Sequence, residues 1–287
     1  MHNQQPEDQR LDELEIWLEN FFTDANFVIS NASDDASFRR YFRIERSNAS
    51  FIAMDAPPLK ENSKPFIAIG TLLRNNAIHA PKIIDYDLEQ GFLLLEDLGS
   101  TTFLQALNNT FNIELYKAAI DELIKIQAIN VAGQNLNNYD AQLLDTEMQL
   151  LTQWYLEKTL PSQQQEQLEV IFQLLIDNAL DSPQVLVHRD YHSRNLMVLD
   201  NQKLAVIDFQ DAVVGSNTYD LCSLLKDAYF ELSVNELQTL LNYYYEKAKP
   251  DTSFVQFEKQ FDLMGLQRHL KVLGIFKRLS VRDGKHQ

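Results

Sequence analysis

Apolar side chains recur at Leu11, Leu14, Leu18, Phe21 and Phe22, a three-and-four spacing that predicts an amphipathic helix over 11–22. Beyond it the texture shortens. Residues 27–29, 38–44 and 51–54 are brief runs rich in Phe, Ile, Val and Tyr, bounded by Ser, Asp and Asn, which is the pattern of strands. The polar stretch 45–50 reads as the hairpin turn between the last two. Pro57-Pro58 ends the third run, because proline cannot donate to a strand ladder. A helix is expected over 66–74 and two further strands over 82–86 and 92–95, giving a small, mostly antiparallel sheet with one helix across it.

From Gly99 onward helical periods dominate, near 102–108, 112–130, 140–159, 163–180, 218–230, 234–248 and 254–280, with a strand-rich island at 184–208. The expected fold class is therefore α+β with two lobes: a sheet-based N-terminal lobe over 1–98 and a larger helical C-terminal lobe over 99–287. The chain ends on SVRDGKHQ straight after an apolar helix, so a natural C-terminal piece is expected to be missing.

Composition narrows the functional classes. No glycine precedes Gly70, which excludes a P-loop or a GxGxxG turn from the first 69 residues, and neither GxxxxGK[ST] nor GxSxG occurs later. With 41 acidic against 25 basic side chains the net charge is −16, so nucleic acid and anionic membrane surfaces are poor partners, whereas a cationic ligand would suit the surface. A single cysteine, Cys222, cannot form an internal disulfide and fits a reducing compartment. The polar N-terminus and the lack of any apolar run of spanning length lead to the expectation of a soluble cytoplasmic protein.

The chemistry concentrates in QVLVHRDYHSRNLMVLDNQKLAVIDFQD. One strand delivers Asp190, and two strands joined by a turn hold Asn195 and Asp208 at neighbouring positions. A carboxylate able to accept a hydroxyl proton would thus lie beside two hard oxygen ligands suited to Mg²⁺. The remaining histidines show no HExxH or Cys/His spacing, which argues against zinc.

HxDxxxxN followed by IDF resembles the catalytic and metal-binding loops of protein-kinase-like phosphotransferases, and specifically the aminoglycoside phosphotransferase and choline kinase branch. SFRRYFRI, MDAPP, HRDYHSRNLMV and VIDFQDAVVGSNTYDL are similar to signatures of the bacterial anomeric sugar kinases that phosphorylate N-acetylmuramate and N-acetylglucosamine in peptidoglycan recycling. The resemblance implies a two-lobed protein-kinase-like fold, ATP and Mg²⁺ as cofactors, and an amino-sugar acceptor. It makes Asp190 the base for the acceptor hydroxyl, Asn195 and Asp208 the Mg²⁺ ligands, and Arg194 the cation beside the transferred phosphate, ahead of His192. His188 would brace the loop, and Asp220 would brace it from the next helix. Asp211 could reach either the metal or the sugar hydroxyls, and His192 is a candidate for substrate contact.

The first lobe departs from the family pattern. The turn over 31–37 has no glycine, leaving Ser33 and Ser37 as phosphate donors, with Asp34 and Asp35 unfavourable beside a phosphate. The third strand ends Ala53-Met54-Asp55 without the expected lysine, and 66–74 has no glutamate to pair with one. A substitute cation is sought in Arg39 or Arg40, with Arg40 preferred as the one facing the nucleotide. In the hinge-like LLLEDLG the backbone C=O of Glu96 and N–H of Leu98 would meet the adenine edge. The aromatics Trp154, Tyr155, Tyr229, Phe230 and Tyr243 to Tyr245 could stack a sugar, but at helical spacing they read as core. Two alternatives stay open: an aminoglycoside or choline-type kinase with a cationic substrate, and a nucleotide-binding pseudokinase.

Overall fold

A computed structural model describes residues 6–33, 38–156, 160–199 and 203–282, with only the backbone given for 6–8 and for Ser33. The chain divides into two compact units, Met1–Gly99 and Ser100–Gln287.

In the first unit, helix α1 (Pro6–Phe22) precedes strands β1 (Val28–Ser33), β2 (Arg40–Arg46) and β3 (Ala49–Asp55), helix α2 (Lys64–Asn75), and strands β4 (Ile83–Asp87) and β5 (Phe92–Glu96). The sheet runs β1-β2-β3-β5-β4 with every neighbouring pair antiparallel. Strand alternation sends Phe42, Ile44, Ala53, Phe92 and Leu94 to one face, where Leu14 and Leu18 of α1 pack with Leu11, Trp17 and Phe22 at the margin. Phe92–Leu95 is buried throughout, as an uninterrupted apolar run in a covered strand requires. The expected 45–50 turn is shorter in the structure. The β2–β3 ladder continues to Arg46↔Ala49, because backbone pairing propagates through polar residues as long as the register holds. The β4–β5 turn depends on Gly91, whose φ is 79° and where a Cβ would stand 2.1 Å from the Ala56 carbonyl oxygen.

The second unit carries α3 (Phe103–Leu107), α4 (Ile113–Gln127), β6 (Asn137–Asn138), α5 (Ala141–Leu150), α6 (Ser162–Asp181), β7 (Gln184–Val187), β8 (Leu196–Val198), β9 (Leu204–Val206), β10 (Val213–Ser216), α7 (Tyr219–Leu225), α8 (Val234–Ala248) and α9 (Phe254–Arg282). Side-chain caps explain several starts: Thr102 and Ser233 form capping boxes with Gln105 and Glu236, and Asn112 and Asp140 accept from the third helical N–H.

Two elements differ from the periodic pattern. The stretch 140–159 leaves the α-helix at Leu150 and enters a π-turn over Leu151–Tyr155, against which α9 packs. Gly274 makes that approach possible, since a Cβ there would lie 2.4 Å from the Leu150 carbonyl carbon. Helix α7 stops at Leu225 instead of reaching 230, and Asp227 then takes the Tyr229 N–H in a local turn that competes with helix. Strands β6 and β10 have no periodic signature of their own and arise from pairing with each other and with β7.

Candidate active site

Strand β7 is an outer strand of the sheet β6-β10-β7, and its last pair, Val187↔Val213, delivers the chain into His188-Arg189-Asp190. The hairpin β8–β9 pairs Leu196 with Val206, so Asn195 and Ile207 face each other and the Ile207 N–H donates to the Asn195 carbonyl at 3.0 Å. One residue later stands Asp208. The expected juxtaposition follows: Asn195 Nδ2 lies 3.3 Å from Asp208 Oδ2 and 3.1 Å from the Asp190 carbonyl oxygen. Asp208 adopts a left-handed φ of 63°, and its other carboxylate oxygen accepts from the buried Gln210 amide at 2.7 Å.

The loop is braced from several elements of the same unit. The Asp220 carboxylate, fully buried at the start of α7, accepts the backbone N–H groups of His188 at 2.7 Å and of Arg189 at 3.0 Å. Burial pushes the Asp220 carboxyl up to about 6, although the His188 ring and the two amides pull the other way. Burial likewise holds His188 below the usual histidine range, so its ring is neutral and Nδ1 accepts the Asp190 N–H at 3.3 Å. Further supports come from Tyr191 Oη donating to the Ala119 carbonyl, the Ser193 N–H donating to Asp227, and the Leu104 N–H donating to the Ser193 carbonyl.

A second network sits behind the loop. The buried Glu147 of α5 receives Arg189 at 2.5 Å, Lys271 of α9 at 3.0 Å and the Tyr139 hydroxyl. Lys271 also donates to the Tyr219 hydroxyl at 2.9 Å. Burial opposes both cations, but Glu147 outweighs it for Arg189, and Tyr219 with Glu147 does so for Lys271; both stay charged. Glu147, Lys271, Asp227 and Gln210 were invisible to motif reasoning. They come from helices and turns whose sequences look like ordinary amphipathic or polar structure.

Asp190 is half-buried, and burial alone would raise its carboxyl. Lys271 foremost, with the His192 and His188 rings and Arg268, outweighs that and holds it below the usual carboxylate range. A carboxylate held ionised in this way can accept a hydrogen bond from a hydroxyl, the chemistry a base in a loose phosphoryl transfer needs. The Asn195–Asp208 pair offers hard oxygens of the kind Mg²⁺ takes from a protein when phosphates supply the rest of its shell. No cluster of three or more His, Cys, Asp or Glu side chains suited to a metal occurs among the described residues.

The other expected site residues are placed as follows. Arg194 is exposed, with its guanidinium 4.9 Å from the centre of the Tyr229 ring. His192 is half-buried against the same ring, and burial lowers its pKa, so Arg194 is the permanent cation of the two. Asp211 is exposed, and its carbonyl accepts from Arg189 at 3.4 Å. Of the aromatics, Tyr244 is core, stacked on Phe257, whereas Tyr229 is exposed and borders the loop.

In the first unit, the guanidinium of Arg40 is held by the fully buried Asp55 at 2.5 Å, and Arg10 of α1 donates to the same carboxylate at 2.9 Å. Arg40 lies on the α1-covered face with Phe42, so any phosphate contact by it would compete with Asp55. Arg39 instead pairs with Glu61 at 3.0 Å, just ahead of α2, and Glu61 also takes the Phe38 N–H. The Glu96 side chain accepts from Arg74 and the Lys82 N–H, and its backbone N–H donates to the Lys82 carbonyl. Leu98 is half-buried beside Asp97, which Arg43 clamps at 2.8 and 3.1 Å. Ser37 lies outside the described residues.

The phosphotransferase enzyme family profile matches residues 28–256. The chain is 42% identical over 297 aligned positions to the N-acetylmuramate/N-acetylglucosamine kinase of Pseudomonas putida, covering 97% of this chain and 87% of that one. It is 38% identical to the protein of the same name from Neisseria meningitidis serogroup B, covering 96% and 86%. An ADP-bound aminoglycoside phosphotransferase superposes with a TM-score of 0.65 at 18% identity, covering 94% of this chain and 91% of that one, a likeness of fold. The chain belongs to the phosphotransferase enzyme family and has its protein-kinase-like α+β fold.

Proposed function

We propose that this phosphotransferase moves the γ-phosphoryl group of ATP to the anomeric hydroxyl of an N-acetylated amino sugar, N-acetylmuramate or N-acetylglucosamine. The observation that carries the reading is the convergence of Asp190, Asn195 and Asp208 on one braced loop system, with the Asn195 and Asp208 side chains 3.3 Å apart. Asp190 accepts the acceptor hydroxyl and aims its oxygen. Asn195 and Asp208 would hold Mg²⁺, which supplies charge neutralisation on the nucleotide phosphates. Arg194, permanently charged on the rim of the loop, is assigned to the transferred phosphate. In the first unit, the Glu96 carbonyl and the Leu98 N–H are assigned to the adenine edge. Transfer of this kind depends on positioning and electrostatics, which is what a loop tied down by Asp220, Asp227 and His188 provides.

The amino-sugar assignment rests on the relatives' names. The intact triad of Asp190, Asn195 and Asp208 favours an enzyme over a nucleotide sensor. ATP consumption on N-acetylmuramate, N-acetylglucosamine, kanamycin and choline, with Asp190→Ala as control, tests the reading. Turnover on the two amino sugars that falls about 10²- to 10⁴-fold in the variant is expected. Turnover confined to the cationic compounds, or undiminished in Asp190→Ala, would overturn it.

A further inference from the structure

Helix α9 places Phe261, Met264, Arg268 and Lys271 on its buried stripe, at three- and four-residue steps. Two cations therefore enter the interior of the second unit side by side, and their partners differ. Lys271 is matched by Glu147 and the Tyr219 hydroxyl. Arg268 is only 6% exposed, its Nε is buried without a hydrogen-bond partner, and its guanidinium makes no hydrogen bond or ion pair among the described residues.

A buried guanidinium left in that state is costly, because it gives up water without gaining an acceptor. The surrounding contacts keep it there. Cys222 Sγ of α7 donates to the Phe261 carbonyl, Lys226 pairs with Asp262 at 2.8 Å, and the His269 ring meets the Lys226 carbonyl at 3.3 Å. These hold α9 against α7 on both sides of Arg268. It stands three residues before Lys271 on the same buried stripe, and Lys271 reaches Glu147, which holds Arg189 next to the base. A fixed, planar, five-donor cation with unused hydrogen-bonding capacity is the arrangement that receives a carboxylate in two-pronged fashion.

We infer that Arg268 receives the carboxylate of an acidic amino-sugar acceptor and so sets the preference for the acid-bearing sugar over its neutral counterpart. The inference rests on the amino-sugar reading above. N-acetylmuramate carries a lactyl carboxylate that N-acetylglucosamine lacks, and the two sugars share the anomeric hydroxyl. Arg268 then contributes to one substrate and not to the other, while the phosphoryl-transfer groups serve both.

The test is the ratio of kcat/KM for N-acetylmuramate to that for N-acetylglucosamine, measured with Mg·ATP on the wild type, Arg268→Met and Arg268→Lys. A ratio reports on the active molecules alone, so partial loss of folded protein does not disguise the result. The ratio is expected to fall about 10- to 100-fold in Arg268→Met, with part of it retained in Arg268→Lys, which keeps the charge but not the fork. The methyl ester of N-acetylmuramate, tested on the wild type, checks the same contact without altering the protein. It should lose a similar factor relative to the free acid. An unchanged ratio in Arg268→Met, with both sugars losing activity equally, would overturn the inference and leave the amino-sugar activity standing. So would a wild type that treats acid and ester alike. A wild type inactive on both sugars would instead remove the underlying reading, and the inference with it.

Discussion

Asp220 accepts the backbone N–H of Arg189 at 3.0 Å, at a residue whose φ is 76°. A non-glycine side chain in the left-handed region stores strain that its surroundings must hold. Here the other Asp220 oxygen takes the His188 N–H at 2.7 Å, and the Arg189 guanidinium is tied to Glu147, so both ends of the strained residue are pinned. The strain aims Asp190, which follows directly.

Asp220→Asn keeps one acceptor oxygen but turns a donor toward the second amide. Loss of two charge-assisted hydrogen bonds that hold a strained loop should lower kcat about 10- to 100-fold. The change in KM for ATP should be much smaller, since Asn195 and Asp208 remain. Steady-state kinetics alongside a melting curve checks this; activity within twofold of wild type would remove Asp220 from the positioning role.

The same carboxylate gives a pH signature. Its folded pKa, raised to about 6, means that it protonates as pH falls through that value and stops holding the two amides by charge. kcat should therefore fall on the acid side near pH 6, and Asp220→Asn should lack that limb. Stability moves the other way for this group. A raised carboxyl pKa contributes stability fully present below the unfolded value and lost as pH rises through about 6. His188, lowered by burial, opposes it by favouring the unfolded state below the ordinary histidine range. An acid limb in kcat that coincides with global unfolding would contradict the assignment.

Metal dependence should follow the Asn195–Asp208 pair. Activity is expected to vanish with excess EDTA and return with Mg²⁺. Asp208→Asn, which removes the one charged oxygen donor of the pair, should raise the Mg²⁺ needed for half-maximal turnover at least about tenfold. A Mg²⁺ titration of both proteins decides; superimposable curves would place the metal elsewhere.

Gly274→Val tests the packing of α9 on the π-turn. The Cβ of any replacement would meet Leu150 backbone atoms at 2.4 Å and 2.6 Å, which rigid backbone cannot yield. Overpacking of this sort costs about 1–3 kcal/mol, visible as a lower midpoint in thermal or urea unfolding. A midpoint equal to wild type would show that α9 and Leu150 separate without cost.

Much of the local architecture could be inferred from sequence alone. Helical and strand periods placed most elements to within a few residues, and the spacing from Asp190 to Asn195 and on to Asp208 exposed the loop pair. These are short-range consequences of repeat period, hydrogen-bond pairing and tight turns, which depend on near neighbours in the chain. The α5 break at Leu150 and the early end of α7 were not legible, because an α9 glycine and an Asp227 turn decide them. Only the tertiary structure brought Glu147, Lys271 and Arg268 behind the loop, joined β10 to β6 and β7, and put Arg40 on Asp55 while Arg39 met Glu61. Each of these pairs residues far apart in sequence, where no local signal says which charged side chain on a helix or strand faces inward. Burial and the need to match a charge in the interior select the partners, and they operate only once the chain has packed.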